Sequence, residues 1–291
     1  MRHKRGMWKW AVAIVVILVS VRGAQSLREV RQASTIDVLD TVQLSYVLLP
    51  GDARWSARAF GADFDVTPTS AMIFRHGDSL YGVNEDGKFA TLPVQGTVPA
   101  SFAVDNQGTL LVQREGYLGR LTESGAIDDA LPLPYEDMRL AHSSLDGMVY
   151  LFGGGDGDYR VYSFADDGSM RILLSVPQPI VGVADCVDAV YAATDRQIFR
   201  MGKDAIRLVL NLPENGETIV SVAASTDGKV VFFSTTAKVY ALHGAGAVAI
   251  VGNSGGALRL RNDTLYVLDD ERKLLYKVRP ATMQLFGGHS S

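Results

Sequence analysis

The feature that most constrains this chain is a repeat. Six short segments follow one pattern: "LYGVNEDG" (80–87), "LGRLTESG" (118–125), "VYSFADDG" (161–168), "IFRMGKDA" (198–205), "VYALHGAG" (239–246) and "LYKVRPAT" (275–282). Each has an apolar residue first and fourth, usually an aromatic second, and then a polar turn. Their first positions lie 38, 43, 37, 41 and 36 residues apart. A second landmark keeps step with the first. Apolar stretches ending in proline ("VLLP", "ATLP", "LPLP", "LSVP", "LNLP") close the units, and in the fifth copy the same count lands on Gly252.

Ahead of each copy lies a third landmark, such as "SFAVDNQGTLLVQ" (101–113) or "ALRLRNDTLYVLD" (257–269). Each is an apolar strand, a turn of Asn, Asp or Gly, and a second apolar strand, which is the pattern of a β-hairpin. A unit of about 40 residues holding four strands in a meander has the length and content of one propeller blade. The chain is therefore expected to be all-β, a six-bladed propeller of four-stranded antiparallel blades. No helical periodicity interrupts residues 40 to 285.

Blades joined radially must close, or the first and last would expose open edges. "VQLSYVLLP" (42–50) has the character of a fourth strand but no first three strands precede it. The last unit has inner strands at 257–268 and a third strand at 274–278, with little after them. The N-terminal strand is thus expected to complete the final blade.

The domain plan follows: 1–26 a targeting segment, 27–41 a linker, 42–286 the propeller and 287–291 a tail. "MRHKRGMWKW" is basic and precedes an apolar run of 11 residues, "AVAIVVILVSV". That run is short for a spanning helix, which needs about 20 apolar residues. Ala24 and Ser26 stand three and one before a cut at Leu27, so a signal peptide is expected, with an uncleaved membrane anchor as the alternative. Either way the propeller is exported, to the periplasm or beyond. The single cysteine, Cys186, excludes an intrachain disulfide and reads as a buried apolar residue. A net charge of −4 gives no basic footprint for nucleic acid.

"FAVDNQGTLLVQREGYLGRLTESG" (102–125) resembles the NHL-type repeat and its six-bladed relatives, which include lactonases, strictosidine-synthase-like proteins and extracellular binding propellers. The resemblance covers roughly 42–286. It implies the propeller fold, and for the calcium-dependent lactonases an acidic and amide cluster at the channel mouth. The inner strands are read as beginning with Ser101, Arg139, Val181, Ser221 and Ala257, which supply no such set.

"GNSGGAL" (252–258) looks like the nucleophile loop of a trypsin-like serine protease, with His142 and Asp185 or Asp188 as nominal partners. The repeat places it instead in the connection from an outer strand to the next inner strand, where glycine permits a reversal. His142 falls inside an inner strand, and only 37 residues follow Ser254. A triad is a geometry rather than a pentapeptide, and Ser254 is read as a decoy.

Ligand sites in such a ring lie on the loop face and around the central opening. The candidates there are Trp55, His76, Arg114, Tyr135, Asp156, Asp158, Arg196 and Arg272, with His142 and Arg259 as matched inner-strand positions facing the channel. Asp156 and Asp158 in "GGGDGDYR" carry oxygen ligands, but the spacing is that of a hairpin tip rather than a calcium loop. No catalytic residue, metal or cofactor is expected. The leading functional expectation is a non-catalytic exported propeller binding a protein, peptide or envelope component. The alternative is a lactonase- or lyase-type hydrolase in the central channel.

Overall fold

Each repeat forms one sheet. The computed structural model describes residues 44–48, 64–76, 78–84, 89–143, 145, 149–165, 169–214, 216–243, 246–251, 255–269 and 274–278. Blade one holds β2 (Phe64–Val66), β3 (Met72–His76), β4 (Ser79–Val83) and β5 (Phe89–Leu92). Blade two holds β6 (Ser101–Val104), β7 (Leu110–Arg114), β8 (Tyr117–Leu121) and β9 (Ile127–Pro132). Blade three is β10 (Arg139–His142), β11 (Val149–Gly155), β12 (Asp158–Phe164) and β13 (Met170–Val176). Blade four is β14 (Ile180–Cys186), β15 (Ala189–Thr194), β16 (Gln197–Gly202) and β17 (Ile206–Asn211). Blade five is β18 (Ile219–Ala224), β19 (Val231–Thr235), β20 (Val239–His243) and β21 (Gly246–Val251).

The sixth sheet draws on both ends of the chain. β22 (Ala257–Arg261), β23 (Thr264–Asp269) and β24 (Leu274–Val278) are joined by β1 (Leu44–Leu48). β1 runs antiparallel to β24, from Leu44 opposite Val278 to Leu48 opposite Leu274. The inner strands β2, β6, β10, β14, β18 and β22 contact one another in sequence, and β22 returns to β2. Among the described residues there is no helix. The protein is an all-β, six-bladed propeller.

Alternation along the inner strands explains how blades stack. Successive side chains point to opposite faces. Phe102 and Val104 pack back onto Ile73 and Leu80 of blade one, while Ala103 packs forward onto Leu140 and Leu151 of blade three. Each large apolar side chain so buried contributes roughly 1.5–3 kcal/mol.

Among the described residues no backbone ladder links the blades; single backbone bonds, such as Val187 N–H to the Thr226 carbonyl at 3.0 Å, and polar side chains tie them. Asp65 Oδ2 accepts the Val104 N–H at 2.7 Å, Ser101 Oγ accepts the Leu140 N–H at 3.0 Å, and Ser221 Oγ accepts the Leu258 N–H at 3.0 Å. Those pairs are 39, 39 and 37 residues apart, about one repeat, so the same kind of bracket recurs at three of the joints.

The glycine stretch before β22 is a packing requirement. A Cβ on Gly255 would overlap the Thr235 carbonyl, and one on Gly256, at φ +136°, would overlap the Leu268 carbonyl. Ser234 Oγ also donates to the Gly256 carbonyl. Backbone approaching backbone this closely leaves room only for glycine. Ser254 itself lies outside the described residues, but the flanking strands are the outer strand of blade five and the inner strand of blade six.

Two details of the expected register change. The inner strands of blades four and five begin at Ile180 and Ile219, not Val181 and Ser221. Each carries a one-residue irregularity, between Ile180 and Gly182 and between Ile219 and Ser221, which a pattern of period two does not reveal. Nor does His142 match Arg259. Arg259 pairs with Tyr266 and Ala141 with Tyr150, the equivalent tyrosine of blade three. Counting back from the turn fails because 143–148 is six residues long where 262–263 is two.

Candidate functional site

The inner strands of blades three to six enclose a central pocket of about 370 Å³, including the solvent at its opening. Most of its wall is small or apolar: Ala141, Val183, Ala184, Val222, Ala223 and Leu258. Two charged residues line it, Asp185 from β14 and Arg259 from β22. A mostly apolar concavity with a few convergent polar groups is the ordinary form of a small-molecule site.

Asp185 is held from the neighbouring blade. Ser143 Oγ, which is fully buried, donates to Asp185 Oδ2 in a short hydrogen bond, and Tyr150 Oη lies 3.5 Å from the same oxygen. The strand "VGVADC" tolerates this carboxylate because Ser143 sits on the forward face of blade three, where it meets the backward face of blade four.

Arg259 is held on three sides. Its Nε lies 3.5 Å from Asp65 Oδ1, its Nη1 donates to the Leu258 carbonyl at 2.7 Å, and its guanidinium stands 5.5 Å from the Phe64 ring centre. Its side chain is 13% exposed and that of Asp65 only 1%. Asp65 Oδ1 also accepts the Val66 N–H at 2.8 Å. Two strand positions further, Arg261 shares the face of Arg259. Burial lowers its pKa, against which the charges of Asp65 and Asp105 act.

The other candidates whose side chains are described are not gathered here. Arg114 Nη1 donates to the Gln95 carbonyl and Arg196 Nη1 to the Pro213 carbonyl, both at 2.6 Å, so each pins a loop. Tyr135 is half-buried against the cluster shared by blades two and three. Asp156, at φ 55°, and Gly157, at φ 79°, form the two-residue turn of the β11–β12 hairpin. Asp158 is engaged by Arg160 and by Ser175 Oγ, and those hydrogen bonds hold its carboxyl below the usual range. His76 ends β3 opposite Ser79. Its side chain and that of His142 lie outside the described residues, as do Trp55 and Arg272 altogether. Of the candidates whose side chains are described, only Arg259 is placed in the pocket. Asp65, Asp185 and Ser143 belong to its surroundings.

No family model matches the sequence. No curated protein matches it either. Solved structures do. A gluconolactonase from Xanthomonas campestris is 14% identical with a TM-score of 0.57, covering 82% of this chain and 98% of its own. A luciferin-regenerating enzyme is 12% identical with a TM-score of 0.60, covering 81% and 95%. A calcium-binding protein, regucalcin, from Agrobacterium tumefaciens is 12% identical with a TM-score of 0.56, covering 75% and 89%.

The chain shares the six-bladed propeller fold of these proteins. The likeness at these identities is one of fold. It nonetheless corrects the leading functional expectation: the similar rings include a lactonase and another enzyme, so the hydrolase alternative fits better than a non-catalytic binding propeller.

A calcium ion of the kind named for regucalcin does not fit the described residues. Such a site needs several hard oxygen ligands, carboxylates among them. The inner strands begin with Phe64, Ser101, Arg139, Ile180, Ile219 and Ala257. Among the described residues no three His, Cys, Asp or Glu side chains converge.

Proposed function

We propose that the protein is a lactonase-type hydrolase acting in its central pocket. The observation that carries this is that Asp185 and Arg259, an acidic and a basic residue, are both among the residues lining one small apolar concavity. An ester or lactone carbonyl in that space has what ring opening requires. Asp185 takes a proton from the attacking water, and Arg259 donates to the carbonyl oxygen as it becomes an oxyanion. The water oxygen bonds to the carbonyl carbon, the ring C–O bond breaks, and the leaving alkoxide takes up a proton. The product is a hydroxy acid. Ser143 and Tyr150 orient Asp185, and Asp65 orients Arg259.

The test is a pH-stat survey of simple γ- and δ-lactones with the purified chain. Hydrolysis above the buffer rate is expected, falling by about 10²-fold or more in Asp185→Asn and by about 10²- to 10³-fold in Arg259→Gln. A full survey with no turnover, or an Asp185→Asn variant as fast as the parent, ends this reading.

The basic, 11-residue apolar leader supports export of the ring to an oxidising compartment, where its one cysteine imposes no disulfide. Cell fractionation with N-terminal sequencing of the mature chain checks it.

A further inference from the structure

Eight of the ten residues that line the central pocket are alanine, valine or leucine. The other two are Asp185 and Arg259, and both are already engaged. Asp185 Oδ2 accepts from Ser143 and lies 3.5 Å from Tyr150 Oη. Arg259 is paired with Asp65 and donates to the Leu258 carbonyl. What these two groups have left is used, in the reaction above, on the attacking water and the carbonyl oxygen. Among the described residues no serine, threonine, tyrosine, asparagine, glutamine or histidine lines the pocket. At the backbone, the Leu258 N–H is taken by Ser221 Oγ at 3.0 Å. A hydroxyl on the ring of a guest therefore meets no side-chain partner.

Size acts in the same direction. The concavity measures about 370 Å³ with the solvent at its opening included, near the lower end for small-molecule sites. It fits one small ring, and longer substituents stay in the mouth among water. A hydroxyl at the mouth keeps its hydration, whereas one carried on the ring loses it. Taking a hydroxyl out of water without a replacement hydrogen bond is unfavourable, while burying a CH2 against alanine, valine and leucine is favourable.

We propose that the central pocket takes small aliphatic lactones, bare or alkyl-substituted, and disfavours rings that carry hydroxyls. The preference for an apolar carbonyl ring follows from the wall. Its assignment to a substrate rests on the hydrolase reading.

The experiment compares γ-butyrolactone with erythronolactone, the same ring bearing two hydroxyls, each rate divided by that lactone's own hydroxide-catalysed rate. The bare ring is expected to have the higher normalised kcat/KM, by about 10²-fold. Equal or inverted preference overturns this inference and leaves the hydrolase. Cyclohexanone, an apolar ring with a carbonyl and nothing to hydrolyse, is expected to inhibit competitively at concentrations where glucose does not. Noncompetitive inhibition, or inhibition by glucose alone, also overturns it. Should neither lactone be turned over, the hydrolase reading fails by itself, and saturation-transfer NMR reads the ligand class. Cyclohexanone binding that weakens about tenfold in Ala184→Val, which narrows the half-buried wall of β14, keeps the inference. Absence of cyclohexanone binding, or equal binding by the variant, removes it.

Discussion

The joint between blades four and five and the joint between blades six and one do the same mechanical task with different chemistry. The first is an apolar seam. Ile198, Ile219, Val222, Phe233, Tyr191 and Tyr240 meet in one cluster, with Phe233 and Tyr240 stacked at 4.8 Å between ring centres. The second has a smaller cluster around Phe64, Met72, Phe74 and Tyr266, overlaid by charge: Asp65 with Arg259, Arg261 on the Asp105 carbonyl, and Asn262 Nδ2 on the Pro68 carbonyl at 3.0 Å. Apolar contact is nondirectional and scales with area, whereas buried ion pairs reward one arrangement and penalise its neighbours. The joint of blades four and five adds two backbone bonds to its apolar contact, Val187 N–H to the Thr226 carbonyl and Ile219 N–H to the Asp195 carbonyl. The joint of blades six and one adds a buried ion pair.

The comparison makes its sharpest claim at Asp65. Asp65→Ala leaves Arg259 without its carboxylate and the Val104 N–H without its acceptor, and breaking a buried pair from one side costs about 3–5 kcal/mol. Urea unfolding monitored by tryptophan or tyrosine fluorescence measures it. A loss under about 1 kcal/mol would show that the closing joint does not depend on charge. A seam substitution of modest size, Ile219→Val, is expected to cost about 0.5–1.5 kcal/mol, and the same titration checks it. Ser221→Ala removes one inter-blade bracket and exposes the buried Leu258 N–H to an unmet bond, for about 1–3 kcal/mol. Amide exchange at Leu258 should accelerate with it.

The smallest effect is in pH. Burial raises the pKa of the Cys186 thiol, and burial followed by the Glu217 charge raises that of the Tyr240 phenol. Both groups belong to the seam of blades four and five. In the unfolded chain they ionise near 9.0 and 10.0, while in the fold they stay protonated to higher pH. The unfolded state then binds fewer protons, so stability is at its full value below pH 9 and falls as pH rises through the folded values. The slope is at most about 1.4 kcal/mol per pH unit for each group. Stability of Cys186→Ala measured from pH 8 to 11 should fall less steeply than that of the parent at the start of this window.

Architecture was legible because it is written in repetition. All six of the recurring tetrads, such as 80–83 and 198–201, lie in third strands, and β24 occupies the expected 274–278. The failures have local causes. The irregularities at Ile180 and Ile219 displace inner-strand starts without disturbing hydrophobic alternation. The six-residue turn after His142 defeats counting from the turn. The site was harder to read. Arg259 stands out as a charge inside "ALRLR", and Asp65 in "FDV" carries the same signal, but in so short a strand that it passes for a loop residue. Asp185 draws notice only as a nominal triad partner. What pairs it with Ser143, 42 residues away, is blade stacking, a distance the sequence does not state. Arg114 and Arg196 look like exposed recognition residues because their acceptors are loop carbonyls, which leave no trace in composition.

The seating of β1 against β24 carries a liability for any shortened version of the chain. Loss of residues through Leu48 strips five residue pairs from the outer edge of blade six and leaves β24 as an open template. The nearest strand with the right sequence is then β1 of another molecule. Partial proteolysis near the N-terminus should therefore make cleaved chains associate through the exposed β24 edge.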